Sequence, residues 1–575
     1  MGFVFLACLI WWPLIIGLGS PLFRLLSSPA QPSYSPPLRL TLCALFGMLA
    51  MIFLGDLSNF FIPAYPLIPC LAALTGLTFL ILHRRWLFTG LTPANILSAL
   101  IVLAVASLAA TRPSTHVDTG LYHLQAVRWI TDRSLVPGLA NLHLRLGYNS
   151  AWAMVAAVME APGLLGKSMF LLNTLLATIA ICLSLDSLRQ VLTTGITLST
   201  GLLALLICPV ADMAISRGPT PPWASSVPSL GNDMASMILV VIVLSLILRK
   251  RESTPITDLT VSIHSLVLAV LATIVKVSCA PILAGAGILF LYRLAHTKAW
   301  RTATIPILIS ALAIGAWMAR GIGLSGCPLY PSPIARLPVK WAVPPQDALR
   351  DLSWIRSWAR GNPDSPTQVL ANWNWLIPWY HRLDKNHFRI PALLAFALLG
   401  LAAVAWGTIR SKHPRLPIET WIALATAAAG VLYWFIMAPD PRFGLGFIFS
   451  LWILSILTGA QAIGLPLHSN IARAIIAFIV IVTLCTGPSL LKQIPHNALF
   501  QIPRVPEVPV TLVKTPQGLG IYLPTTGHRA WRAPLPSAWK ISPALRASVD
   551  SAGRPTMFWS DPSPHQSPSE LSSPQ

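Results

Sequence analysis

Apolar runs long enough to cross a lipid bilayer recur along most of this chain, near residues 3–19, 38–55, 64–83, 95–110, 167–185, 196–214, 233–249, 261–276, 278–295, 303–322, 390–409, 417–438, 445–463 and 470–490. A hydrocarbon core roughly 30 Å thick takes about 20 residues of α-helix to cross. Backbone groups in lipid have no water to bond, so segments of this kind must close their own hydrogen bonds. The expected fold is therefore an all-α, polytopic transmembrane helical bundle of about 12–14 spans rather than a barrel. Composition agrees: 54% hydrophobic residues, 10% charged residues and a mean hydropathy of +0.67 exclude an ordinary soluble domain.

The first run has no Lys or Arg before it and no small-residue cleavage site after it, so it reads as a retained helix rather than a signal peptide. Basic residues cluster in the short loops "HRRW" (83–86), "RKRE" (249–252), "RLAHTKAWR" (293–301) and "RSKHPR" (410–415). The positive-inside rule puts these in the cytoplasm of a multi-pass protein of the inner (plasma) membrane. Residues 111–166, 215–232, 323–389, 439–444 and everything after 490 then lie on the opposite face. Residues 1–490 form the transmembrane domain, 491–545 a small extracytoplasmic appendage with strands in "VTLVK" and "GIYLP", and 546–575 a disordered tail.

A net charge of +21 without a basic, aromatic-interleaved soluble module argues against nucleic acid and for anionic lipid or phosphate ligands. Of eight cysteines, only Cys327 falls in an outer loop, which leaves no outer disulfide framework.

Polar residues crowd the stretch "HVDTGLYHLQAVRWI" (116–130), directly after a span. Its periodicity predicts a helix from Leu121 to Ile130, with Asp118 just before the helix start, either as an N-cap or as a reactive carboxylate. His116, Tyr122 and His123 flank it, and "LANLHLRLGYNSAW" (139–152) adds Arg145, Tyr148 and Asn149. Lys276, ending an apolar span, must snorkel or meet an anion. Asp233 stands at the mouth of another span as an N-cap or a ligand, and Arg442 sits in a turn where Asp440 could pair with it. In 323–389, Trp341, Trp354, Trp358, Trp373, Trp375 and Trp379 alternate with arginines; such residues suit sugar faces and phosphates but also anchor loops at a membrane interface.

An Asp in the first large outer loop, a juxtamembrane helix after it and many spans resemble the glycosyltransferase-C superfamily of lipid-phosphosugar-dependent transferases, which includes protein mannosyltransferases and the aminoarabinose transferase of lipid A. More closely, "DTGLYHLQAVRWI", "VPGLANLHLRLGYNSAW", "SGCPLYPSP" (325–333), "APDPRFGLG" (438–446) and "YLPTTGHRAWRAPLP" (522–536) are similar to an uncharacterised bacterial membrane family placed near that superfamily. The resemblance implies transfer of a sugar from a polyprenyl-phosphate-linked donor to a saccharide, lipid or protein acceptor at the outer face. It implies Asp118 as general base, with His116 or His123 able to take that part, and Arg442, Lys276, Tyr122, Arg145, Asn149 and Asp233 as substrate contacts. Membrane lipids are the surrounding partners. No cofactor follows from the residues; a divalent cation stays open, although Thr119 stands where many members carry a second acidic residue. A transporter or flippase of a lipid-linked saccharide, and an envelope polysaccharide polymerase or ligase, are the competing readings.

Overall fold

The structure, a computed structural model, describes residues 1–27, 31–160, 167–215, 226–249, 254–361, 366–384, 390–410, 416–467, 469–485, 502–515 and 517–561. Among them, ten helices are long and apolar enough to cross a membrane, from Gly2–Leu26 to Pro441–Ala462. The chain is a multi-pass membrane protein with an all-α bundle. Four of the expected spans are short as helices: Pro93–Ala109, Leu198–Ala214, Asp233–Ile247 and Asn470–Thr483. The second of these is interrupted at Leu206, between Leu198–Leu205 and Ile207–Ile215.

Several helices begin before their apolar run does. Pro36, Pro93, Pro255 and Pro441 occupy first-turn positions, where the missing N–H costs nothing and φ is already helical. Thr92 caps its helix in a reciprocal box with Asn95, and the Asp440 side chain accepts from the Arg442 N–H. The spans expected at 261–276 and 445–463 accordingly start at Pro255 and Pro441.

Small residues let the bundle close without a water-driven term. A β-carbon on Gly19 would lie 1.9 Å from the Cys43 carbonyl oxygen, and one on Gly400 would lie 2.5 Å from the Ser455 backbone. These contacts join Gly2–Leu26 to Pro36–Asn59, and Ile390–Arg410 to Pro441–Ala462.

The alternation of helices sorts the loops to two ends. At one end Arg39 donates to the Leu87 carbonyl, Arg249 to Ser33, and Arg293 to Asp258 and Glu419. At the other end, residues 111–160, 326–361 and 366–384, the 438–442 turn and the C-terminal strands meet. Asn141 bonds the Trp341 carbonyl, Tyr148 bonds Asp351, and Trp379 bonds the Pro439 carbonyl. Most of "RKRE" and "RSKHPR" lies outside the described residues.

The appendage is larger than its sequence suggested. Val510–Lys514 pairs antiparallel with Gly520–Pro524, as expected, but Leu545–Val549 pairs antiparallel with Pro555–Ser560 inside the segment expected to be disordered from 546. Ile521, Leu545 and Phe558 bury against Trp129, Val136 and Leu139, so apolar burial orders this part of the chain. Residues 562–575 of the expected tail lie outside the described residues.

Candidate active site

Asp118 leads into a π-helical turn, Thr119–His123, which continues as the α-helix Leu124–Asp132. The helix runs beyond the expected Ile130 and begins with an irregular turn; such turns often mark functional positions. Leu124, Val127 and Ile130 face the core as their spacing predicted. Asp118 occupies the N-cap position, yet its side chain makes no capping bond. The turn is held instead by His116, whose Nδ1 accepts from the Thr119 N–H at 3.2 Å, while Thr119 Oγ1 accepts from Leu230 N–H at 3.1 Å.

The Asp118 carboxylate is left to face cations. Arg145 Nη1 approaches Oδ1 at 3.3 Å, and Arg442 Nη1 approaches Oδ2 at 3.3 Å. Arg442 comes from the first turn of Pro441–Ala462, where its Nε also meets Asp440 Oδ1 at 3.2 Å. The same guanidinium lies 3.9 Å from Asp233 Oδ2, and Asp233 in turn pairs with Lys276. Asp118, Asp233 and Asp440 thus interleave with Arg145, Arg442 and Lys276 in one cluster of balanced charge. Three apolar helix ends supply Asp233, Lys276, Asp440 and Arg442, because such helices can place ionisable groups cheaply only near their termini, and the first outer loop supplies Asp118 and Arg145.

Local caps aim these side chains. Asp233 is the first residue of its helix, one place inside the cap residue Asn232. Asn232 Nδ2 bonds both Ser150 Oγ and the Val275 carbonyl, tying the end of Pro255–Val275 to the start of Asp233–Ile247. Asn173 Nδ2 bonds the carbonyls of Ser226, Ser229 and Gly231 and so fixes the preceding loop. Lys276 follows the last helical residue Val275 and turns inward to Asp233 instead of snorkelling.

Aromatic rings, two from the second outer loop and one from Pro441–Ala462, roof the cations. Arg145 lies 4.7 Å from the Trp354 ring centre, Arg442 lies 4.9 Å from Trp358, and Lys276 lies 4.3 Å from Phe443. Trp354 and Trp358 stack on each other along Pro345–Ala359. Guanidinium over indole is a favourable pairing that leaves the in-plane N–H groups free to bond anions.

Electrostatics follow from this geometry. Burial alone would raise the Asp118 pKa, but Arg442 and Arg145 outweigh it and hold the carboxyl well below the usual range. Burial lowers His123 to about 4 against the pull of Asp118, and lowers His116 as well, so both imidazoles are neutral near pH 7. His123 Nδ1 has no hydrogen-bond partner among the described residues. It faces a cavity of about 50 Å³ lined also by Tyr122, Arg145, Asn149, Ser150 and Arg320, which is room for about one or two waters.

Asn149 is bonded to a neighbouring span. It adopts left-handed backbone with φ 49°, donates from its side chain to the Trp317 carbonyl and accepts at its own carbonyl from Trp317 Nε1, both at 2.6 Å. It therefore ties the first outer loop to Trp300–Ser325. Asp351 is a buried carboxylate beside the cluster that the sequence did not single out. Its carboxylate accepts from Tyr148 and Tyr330, each at 3.3 Å, and burial raises its pKa although Arg145 pulls it down.

A family model described as "Domain of unknown function (DUF8201)" matches residues 1–449. The chain belongs to this family. No curated protein and no solved structure matches it. The DUF8201 match spans every member of the charge cluster, and it stops before the C-terminal strands that pack on the Asp118 helix. Among the described residues of this DUF8201 chain, no group of three His, Cys, Asp or Glu side chains is placed to hold a metal ion. Both Asp118 oxygens already face guanidiniums, which does not fit a paired-carboxylate cation site, and no step below runs through one.

Proposed function

We propose that this protein is a membrane glycosyltransferase of the inner membrane, moving a sugar from a polyprenyl-phosphate-linked donor to an envelope acceptor on the extracytoplasmic face. The observation that carries the reading is the Asp118 carboxylate, free of any capping bond at a loop-to-helix junction and held between Arg145 and Arg442 beside the ends of three apolar helices. A lipid-linked donor would present its phosphate at that depth, level with the helix termini. Arg442, Arg145 and Lys276 would stabilise the departing phosphate, and the Trp354 and Trp358 rings offer flat faces for a sugar. As the cations turn to the phosphate, Asp118 loses the partners that depress its basicity and can take the acceptor hydroxyl's proton. The bond from the anomeric carbon to the phosphate oxygen breaks as the bond to the acceptor oxygen forms.

A photoreactive polyprenyl-phosphate sugar tests this reading on protein in lipid vesicles. Crosslinks are expected in peptides containing Arg145, Trp354 or Arg442, and an excess of unlabelled donor should remove them. Crosslinks confined to the lipid-facing surfaces of Leu67–Phe88 or Trp300–Ser325 would reject the proposed donor site.

A further inference from the structure

The C-terminal appendage lies beyond the family match, yet the segment between its two hairpins reaches the turn that carries Asp118. Trp531 donates its backbone N–H to the Gly120 carbonyl at 2.9 Å. Its ring covers Gly120 so closely that a β-carbon there would lie 2.6 Å from Trp531 Cε2. Gln125 Nε2 bonds the Trp531 carbonyl at 2.7 Å, and Arg128 donates to the carbonyls of Arg532 and Ala533. Trp531 is 5% exposed and holds a left-handed φ of 43°, a conformation that a bulky residue keeps only where its surroundings fix it. Three successive backbone positions of the tail are thus bonded to one face of the Asp118 helix.

We propose that Trp531 is a positioning residue: seated on Gly120, it makes the C-terminal β appendage a clamp that holds the Thr119–His123 turn and fixes Asp118 between Arg145 and Arg442. Gly120 is two residues from Asp118, so a turn released at its carbonyl can rotate the carboxylate out of hydrogen-bond range of either guanidinium. The inference concerns the placement of the carboxylate and holds whichever reaction the site performs.

Carbodiimide with glycine ethyl ester modifies protonated carboxyls, so its rate at Asp118, read by peptide mass spectrometry on the full chain in lipid nanodiscs, reports how firmly the cations hold that group. Trp531→Ala should raise the Asp118 rate at least about fivefold while Asp351 keeps its wild-type rate, because only the first depends on the clamp. Trp531→Phe, which keeps a ring over Gly120, should restore most of the protection. Gly120→Ala should raise the rate in the wild-type background and add nothing in Trp531→Ala, where the ring it would strike is gone. Where Trp531→Ala fails to insert, Arg128→Ala loosens the same segment from its partly exposed side and carries the same expectation. An Asp118 rate equal to wild type in a folded Trp531→Ala or Arg128→Ala protein would overturn the proposal.

Discussion

Arg442 is where the local and the functional uses of a residue meet. It closes its own turn through Asp440 and at the same time reaches Asp118 across 324 residues of sequence. Arg442→Ala would leave Asp118, Asp233 and Asp440 short of a cation, and one unpaired buried charge costs on the order of 3–5 kcal/mol. A marked fall in thermal midpoint is therefore expected, with Arg442→Lys recovering part of it. Measured well below that midpoint, donor affinity should fall by about 2 kcal/mol in Arg442→Ala and less in Arg442→Lys, since a charge-assisted bond to phosphate is lost in the first and kept in the second. The histidines give a pH prediction. His123 has a folded pKa of about 4, below its unfolded value, so the unfolded chain takes up the proton first as pH falls. Stability tied to His123 should be fully present above about pH 6.5 and lost progressively toward pH 4. Thermal melts of wild type and His123→Gln across that window should converge as pH falls, and parallel curves would contradict the assignment. Asp118 has the depressed carboxylate pKa, so its share persists until pH falls below the ordinary Asp range.

At the scale of elements, the Leu124–Asp132 helix and its π-helical start decide where the carboxylate points. Asp118→Asn keeps the shape and any capping ability; because the native side chain caps nothing, Asn and Ala should cost similar, small amounts of helix stability while both disable a general base. Parallel melts with transfer lowered by about 100-fold in both variants is the expected pattern. A cap role would instead leave Asn nearly silent and cost Ala about 1 kcal/mol. The apolar runs were legible because lipid demands continuous hydrophobicity, and the helix ends were displaced where first-turn prolines extend a helix into polar sequence. The members of the charge cluster were individually legible: Asp233, Lys276 and Arg442 stand at span ends, and Asp118 and Arg145 in the polar stretches of the first outer loop, but their pairing was not. The π-turn was not, since no spacing of apolar residues marks it. Asp351 escaped because its partners Tyr148 and Tyr330 come to it through tertiary packing, 203 and 21 residues away. Strand Leu545–Val549 did carry a period-2 signal, with Leu545, Ala547 and Val549 alternating with Arg546 and Ser548, but prolines around it masked the pattern.

Over the whole molecule, both outer loops, the Ala438–Arg442 turn and the C-terminal strands converge at one end of a bundle whose other end gathers Arg39, Arg249 and Arg293. Single cysteines at the exposed positions Thr115 and Gln346, in a background without the eight native ones, should both react with an impermeant maleimide added outside cells, and one at Lys298 should not. Reaction at only one of the first two would break the shared face. The central claim is that this end carries out sugar transfer with Asp118 as the base. The most direct measurement is release of labelled sugar from a polyprenyl-phosphate donor by the purified protein in proteoliposomes, with wild type and Asp118→Asn compared at equal amounts of folded protein. The account predicts protein-dependent transfer that falls by about 100-fold in Asp118→Asn while donor binding persists. Transfer at the wild-type rate in Asp118→Asn would contradict the assignment of the base, and an intact donor with folded wild type for every lipid-linked sugar would contradict the transferase reading and leave transport ahead.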